Sequence, residues 1–189
     1  MKMTNLSVRK ANDLLLVASV LFFACAVWSF SAQDVLAQQD KSSGGPQGDI
    51  LAKGFLAALA SKDYNEMKKL TPTVETFRTT APEETAGKTD AEVMELAKPL
   101  NDDVDSGFHI LVRAAKTYNV DLQKLRFVSE YISNVSPITG ANFFAMEIHF
   151  EYGKHKGVFT VGTAVVDDKW YIYAIEPESV RALMKLKKK

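Results

Sequence analysis

The sequence predicts an α+β domain: N-terminal helices packed on a four-stranded antiparallel sheet, behind an apolar signal or anchor segment. Three observations carry this expectation. Residues Lys124 to Ile175 hold four successive stretches of strand character joined by short connections. Residues Asp49 to Asn119 place apolar side chains at helical spacing. Lys2, Arg9 and Lys10 precede an apolar run of 17 residues, Leu14 to Phe30. The layout expected from these is residues 1–37 as signal peptide or anchor, 38–48 as flexible linker, 49–176 as the folded domain and 177–189 as a helical basic tail.

The basic-then-apolar order is that of a secretory signal, and Val35-Leu36-Ala37 offers small-residue cleavage after Ala37. Two other fates stay open. The run is at the short edge of what spans a bilayer as an uncleaved anchor. Phe22-Phe23-Ala24-Cys25 resembles a lipobox, which would make Cys25 an acylated first residue, although an apolar Ala-Val-Trp follows it. Each fate places the domain outside the cytoplasm, periplasmic or secreted, with the membrane reached through the N-terminal segment. Cys25 is the one cysteine, so the predicted domain carries no disulfide, thiolate nucleophile or cysteine metal ligand. Gln38 to Gly48, rich in Gln, Ser and Gly, reads as linker.

Asp49 is placed to cap a first helix, on which Ile50, Leu51, Phe55, Leu56 and Leu59 recur. Asp63 caps a second, short helix stopped by Pro72. Thr71 to Thr89 predicts one short helix at Val74 to Arg78 within a mobile loop. A helix from Thr89 or Asp90 is expected to break at Pro99, and a further helix to run to Asn119. Asp102, Asp103 and Asp105 at the front of that last helix suit its macrodipole. A calcium loop there lacks the bend glycine and the terminal bidentate Glu.

Strand one covers Leu125 to Ile132, with apolar residues on both faces, and Asn134 to Gly140 reads as the loop after it. Strand two alternates cleanly: Phe144, Met146, Ile148, Phe150 and Tyr152 against Ala145, Glu147, His149 and Glu151. Gly153 to Gly157 turns the chain into strand three, Val158 to Val166. Asp167-Asp168-Lys169 turns it into strand four, Trp170 to Ile175. Sequential hairpins make the sheet antiparallel, and the preceding helices are the cover available for its apolar face.

Phe55-Leu-Ala-Ala-Leu-Ala-Ser-Lys-Asp-Tyr64, further helix, and a strand pair ending Val165-Val-Asp-Asp-Lys-Trp-Tyr-Ile172 resemble the nuclear-transport-factor-2-like (cystatin-like) α+β superfamily, small exported bacterial type. The resemblance spans roughly Asp49 to Ile175. It implies a curved sheet wrapped around helices with a cone-like pocket. It also implies functions ranging from small-molecule enzymes through ligand pockets to scaffold domains of membrane machines. Catalytic members use pocket-facing Asp, His or Tyr, but no such motif maps onto this chain. The Thr71 to Thr89 insert is longer than the resemblance predicts.

Few residues suggest chemistry. Glu147, His149 and Glu151 lie about 7 Å apart along one strand face, a row able to tune an imidazole or hold a metal. The same alternation argues that the row faces water. His109 beside Phe108 is a second candidate base, placed on a helix surface, and His155 sits in a turn between lysines. Tyr131, Trp170 and Tyr173 could line a pocket, though aromatic strand residues are more often core. Asn134-Val135-Ser136 fits a glycosylation acceptor. No glycine-rich phosphate loop occurs, and no metal or cofactor is implied.

Formal net charge is zero; after Ala37, 20 basic (23 − 3) and 21 acidic (23 − 2) residues remain. Such a chain has no global pull toward nucleic acid. The expectation is therefore a non-enzymatic exported or tethered domain that binds a protein partner or a small apolar ligand. A homodimer through the sheet is one such arrangement, and a small-pocket acid/base enzyme is the alternative. Mass spectrometry of the protein from its native host tests the N-terminal reading. The expected mass begins at Gln38; an intact mass means an anchor, and an acylated Cys25 means a lipoprotein.

Overall fold

The computed structural model describes residues 42–138 and 141–186. The apolar run, Cys25, the cleavage position after Ala37 and residues 187–189 lie outside them. Among the described residues six helices and four strands follow one another: α1 (Gly45–Ser61), α2 (Tyr64–Lys68), α3 (Val74–Thr80), α4 (Pro82–Thr85), α5 (Asp90–Tyr118), β1 (Arg126–Ile138), β2 (Ala141–Tyr152), β3 (His155–Val166), β4 (Lys169–Ile175) and α6 (Glu178–Lys185). A short 3₁₀ turn, Leu122–Lys124, joins α5 to β1. The strands form one antiparallel sheet in the order β1-β2-β3-β4.

Helix α1 begins at Gly45, not at Asp49, so residues 42–48 are not linker. Pro46 sits in the first turn, where its missing N–H costs nothing. The N-cap residue, Gly44, has no side chain to cap with. Glu130 of β1 does the capping instead: its carboxylate accepts from the Gly44 N–H at 2.9 and 3.0 Å and from the Ser43 hydroxyl at 2.6 Å. Glu130 is only 3% exposed. Gly48 completes the fit, since a Cβ there would lie 3.3 Å from the Glu130 carboxylate. Just upstream, Ser42 and Ile132 exchange backbone hydrogen bonds along the free edge of β1. Ile50, expected on the apolar stripe of α1, is 61% exposed.

Two other expectations are corrected. Thr71 to Thr89 folds as two short helices, with Thr73 and Thr76 forming a capping box on α3. Arg78 fastens the stretch through the carbonyls of Thr85 and Lys88 and a 2.8 Å ion pair to Asp90. Pro99 does not break its helix; α5 runs 29 residues from a Thr89–Glu92 capping box to a left-handed Asn119. Pro99 lies on the exposed side. The bond it cannot make costs about 3 kcal/mol. Burial of Val93, Ala97, Val104, Phe108, Leu111 and Ala115 along the opposite side offsets that cost.

The sheet's inner face is a continuous apolar layer. Met146, Ile148, Phe150, Phe159, Val161 and Ile172 are fully buried there beneath Phe55, Leu59, Phe108 and Leu111 of the helices. Phe150 stacks on Phe159 at 4.4 Å, and Phe55 meets Phe159 edge-on at 5.8 Å. Two glycines permit close packing. A Cβ on Gly107 would come 2.8 Å from the Ile175 Cβ, so α5 crosses β4 only because that position is bare. A Cβ on Gly157 would enter the Phe150 ring at 2.3 Å. The β3–β4 turn has Asp167 and Asp168 both at positive φ, 49° and 60°, the geometry of a tight hairpin.

β1 is longer than expected, reaching Ile138 through the stretch read as a loop. The segment after β4 is more than a tail. In α6, Leu183 is fully buried, and the Ser179 hydroxyl donates to the Thr160 carbonyl and accepts from its N–H, both at 2.9 Å. At the other edge of the sheet, the Ile172 N–H donates to the Leu70 carbonyl at 2.8 Å. Glu130→Ala is expected to lower stability by about 2–3 kcal/mol, because the Ser43 hydroxyl and Gly44 N–H lose their shared acceptor. Urea unfolding measures this; a midpoint within error of the parent would mean that the carboxylate does not anchor α1.

Candidate functional site

The alternation of β2 divides its side chains between two environments. Met146, Ile148 and Phe150 enter the core; Glu147, His149 and Glu151 go to the outer face, half-buried. Register sets their neighbours. Tyr131 of β1 and Thr160 of β3 flank Glu147, while Ser129 and Val158 flank His149. His149 Nε2 lies 3.2 Å from a Glu147 carboxylate oxygen. The Tyr131 ring meets the imidazole edge-on at 5.0 Å. Ser129, Tyr131 and His149, with Val128, Lys156 and Val158, rim a shallow, open hollow of about 330 Å³, and Glu147 is not among its lining residues. Val128 is 48% and Tyr131 39% exposed.

Glu151 does not join this pair. It faces Arg126 across the strands at 3.4 Å. The predicted row is therefore a His–Glu pair beside a separate Arg–Glu pair. An imidazole against a carboxylate can accept and release a proton. Ser129 stands opposite His149 in register, but among the described residues no hydrogen bond joins its hydroxyl to the ring, so the nucleophile–base link of a triad is not made. Among the described residues no cluster of three or more His, Cys, Asp or Glu could hold a metal ion.

The other candidates fall elsewhere. His109 is exposed on α5, its Nδ1 2.9 Å from the Asp105 carbonyl and 3.0 Å from that carboxylate, with the Tyr64 ring 5.7 Å away. Burial, and then the charges of Asp105 and Asp102, raise the Tyr64 phenol above its ordinary value. Trp170 lies on the inner face against Phe144 at 5.3 Å, over the start of α1. Tyr173 lies on the outer face, across Gly162 and edge-on to Phe143 at 5.1 Å. Tyr131, Trp170 and Tyr173 thus occupy three places, and the structure does not bring them into one pocket. His155 is exposed at the start of β3.

Sequence reasoning missed Glu130, the most informative polar residue of the sheet. A bulge between Phe127 and Ser129 shifts the phase of β1, so Phe127, Glu130 and Ile132 all turn inward. Both faces therefore read as apolar. An acid among apolar strand residues was the available signal. Among the described residues no helix is long and apolar enough to cross a membrane.

These features define an α+β domain with an open four-stranded antiparallel sheet, helices over one face and a polar–aromatic cluster on the other. Compared with known proteins, the chain matches no family model, no curated protein and no solved structure.

Burial, and then the charge of Glu176, push the Tyr173 phenol from 10 up to about 12. The folded value lies above the unfolded one. The neutral phenol's contribution is therefore complete below pH ~10 and is lost as pH rises through ~12. Tyr173→Phe should flatten the alkaline limb of a stability–pH profile measured by thermal melts. A limb unchanged by the substitution would show that another group titrates there.

Proposed function

We propose that this chain is an exported or membrane-tethered domain that binds a protein through the outer face of its sheet and does not turn over a substrate. One observation carries the reading: the inner face, where a cone-like fold would hold a small ligand, is occupied by Phe55, Phe108, Phe150 and Phe159, all fully buried. The outer face leaves Val128 and Tyr131 in solvent beside His149. Aromatic and aliphatic side chains rimmed by charges suit protein recognition. Placement outside the cytoplasm rests on the basic-then-apolar N-terminus and the small residues before Gln38. The resemblance to the nuclear-transport-factor-2-like superfamily adds scaffold domains of membrane assemblies to the precedents. Ser42 meets one sheet edge at Ile132 and Leu70 meets the other at Ile172, and a homodimer through the sheet would form on the face.

The alternative is a small acid/base enzyme, favoured by the 3.2 Å contact of His149 with Glu147 at the hollow. Loss of a measured turnover in a folded His149→Ala variant would select it. For the binding reading, a photoreactive phenylalanine at position 131 should form a protein adduct in the native host. Adding Val128→Glu should reduce that adduct about tenfold, the loss of roughly 1.4 kcal/mol. An adduct with itself would identify a homodimer. Failure to form any protein adduct from this position would overturn the outer face as a docking surface.

A further inference from the structure

Resting on the proposal that the outer face docks a protein, we infer that its hollow takes a partner segment in which an acidic side chain sits beside an apolar one. The acid meets Lys156, and the apolar group enters beside Tyr131 and Val158. The lining combines Val128, Tyr131 and Val158 with Ser129, His149 and Lys156. Lys156 is exposed near the start of β3. Its cross-strand neighbour in register is Glu151, but that carboxylate pairs with Arg126 at 3.4 Å. Glu147 lies 3.2 Å from His149. Among the described residues Lys156 is in no ion pair, and neither is Lys154, exposed in the turn before it. Lys124 and Asp121, paired at 3.3 Å, cancel. Arg126, Lys154 and Lys156 thus stand against Glu147 and Glu151 at this end of the sheet, an excess of one positive charge (3 − 2) with His149 and His155 neutral.

Charge complementarity selects the partner. A carboxylate from outside supplies the counter-charge that Lys156 lacks on its own chain, while a basic segment would meet Lys156, Lys154 and Arg126 with like charge. One excess charge is too few to hold a polyphosphate backbone, which sets nucleic acid aside. The hollow is open and shallow, so it suits side chains projecting from a partner rather than a ligand enclosed on most of its surface. The apolar and charged contacts also support each other. An apolar group covering Val128 and Tyr131 removes water beside the Lys156–carboxylate contact, and a lower local dielectric strengthens that contact. The Lys156 stem can lie along the apolar rim with its ammonium group outward.

The test uses the full chain in its native host, with the photoreactive phenylalanine at position 131. Mass spectrometry of the adduct should place the cross-link in a partner segment that carries an Asp or Glu beside an apolar residue. Lys156→Glu should lower the adduct roughly tenfold, because like charges then face each other, and Lys156→Arg should keep it. Changing the partner's acid to Lys should restore the adduct with the Lys156→Glu protein. Lys156 is exposed, and thermal melts check that both variants keep the fold. An adduct that Lys156→Glu leaves unchanged, or a cross-linked segment without an acid, would overturn the acidic partner and leave the outer face as a docking surface. An adduct formed only with a second copy of this chain would overturn it as well, in favour of a homodimer. Absence of any protein adduct would remove the docking surface and its acidic partner together.

Discussion

Glu130 is the point at which the two halves of the domain are joined. Its carboxylate lies in the apolar layer of the sheet, where an uncompensated charge costs several kcal/mol. The Ser43 hydroxyl and the Gly44 N–H compensate it, and the amide end of α1 carries the positive pole of the helix. Each side needs the other. Without Glu130, α1 begins on a glycine with nothing to cap it; without the helix terminus, a buried acid has no donors. The bulge in β1 that turns Glu130 inward is thus the cause of where α1 begins.

The position of α1 in turn decides what the sheet can hold. With its start fixed over β1 and β2, Leu51, Phe55 and Leu59 descend onto Phe150 and Phe159. The long helix α5 closes on β4 at Gly107, and α6 closes on β3 through Ser179. These closures leave the inner face filled by buried apolar side chains. Ser42, Leu70 and Ser179 in turn bond backbone groups of Ile132, Ile172 and Thr160. The outer face of the sheet is where the proposed partner would dock.

Legibility followed locality. β2 was readable because its alternation is unbroken and its two faces meet opposite environments, and the Asp167–Asp168 turn because its chemistry is contained in two residues. The start of α1 was not readable. Gly44-Gly45-Pro46 has linker composition, and its stabilising partner lies 86 residues away. Pro99 misled for the same reason, since the packing of Phe108 and Leu111 that outweighs it is tertiary. Of the candidate site, the outward direction of Glu147 and His149 followed from periodicity. Their 3.2 Å approach did not, because strand rise alone sets them about 7 Å apart. Nor did the division of Tyr131, Trp170 and Tyr173 among three places, which depends on strand register and on the bulge beside Gly162.

The setting of His149 bears on which chemistry the outer face suits. Electrostatic catalysis gains its strength from exclusion of water, where a fixed charge acts through a low dielectric. The His149–Glu147 pair lies at an open hollow, flanked by exposed Tyr131 and Val128, and water screens what it could contribute to a transition state. Recognition places the opposite demand on the same groups. A partner that covers Val128 and Tyr131 would itself remove the water and strengthen the interactions of the imidazole–carboxylate pair on contact. The cluster would then be weak when open and strong when covered, in keeping with the proposed contact surface.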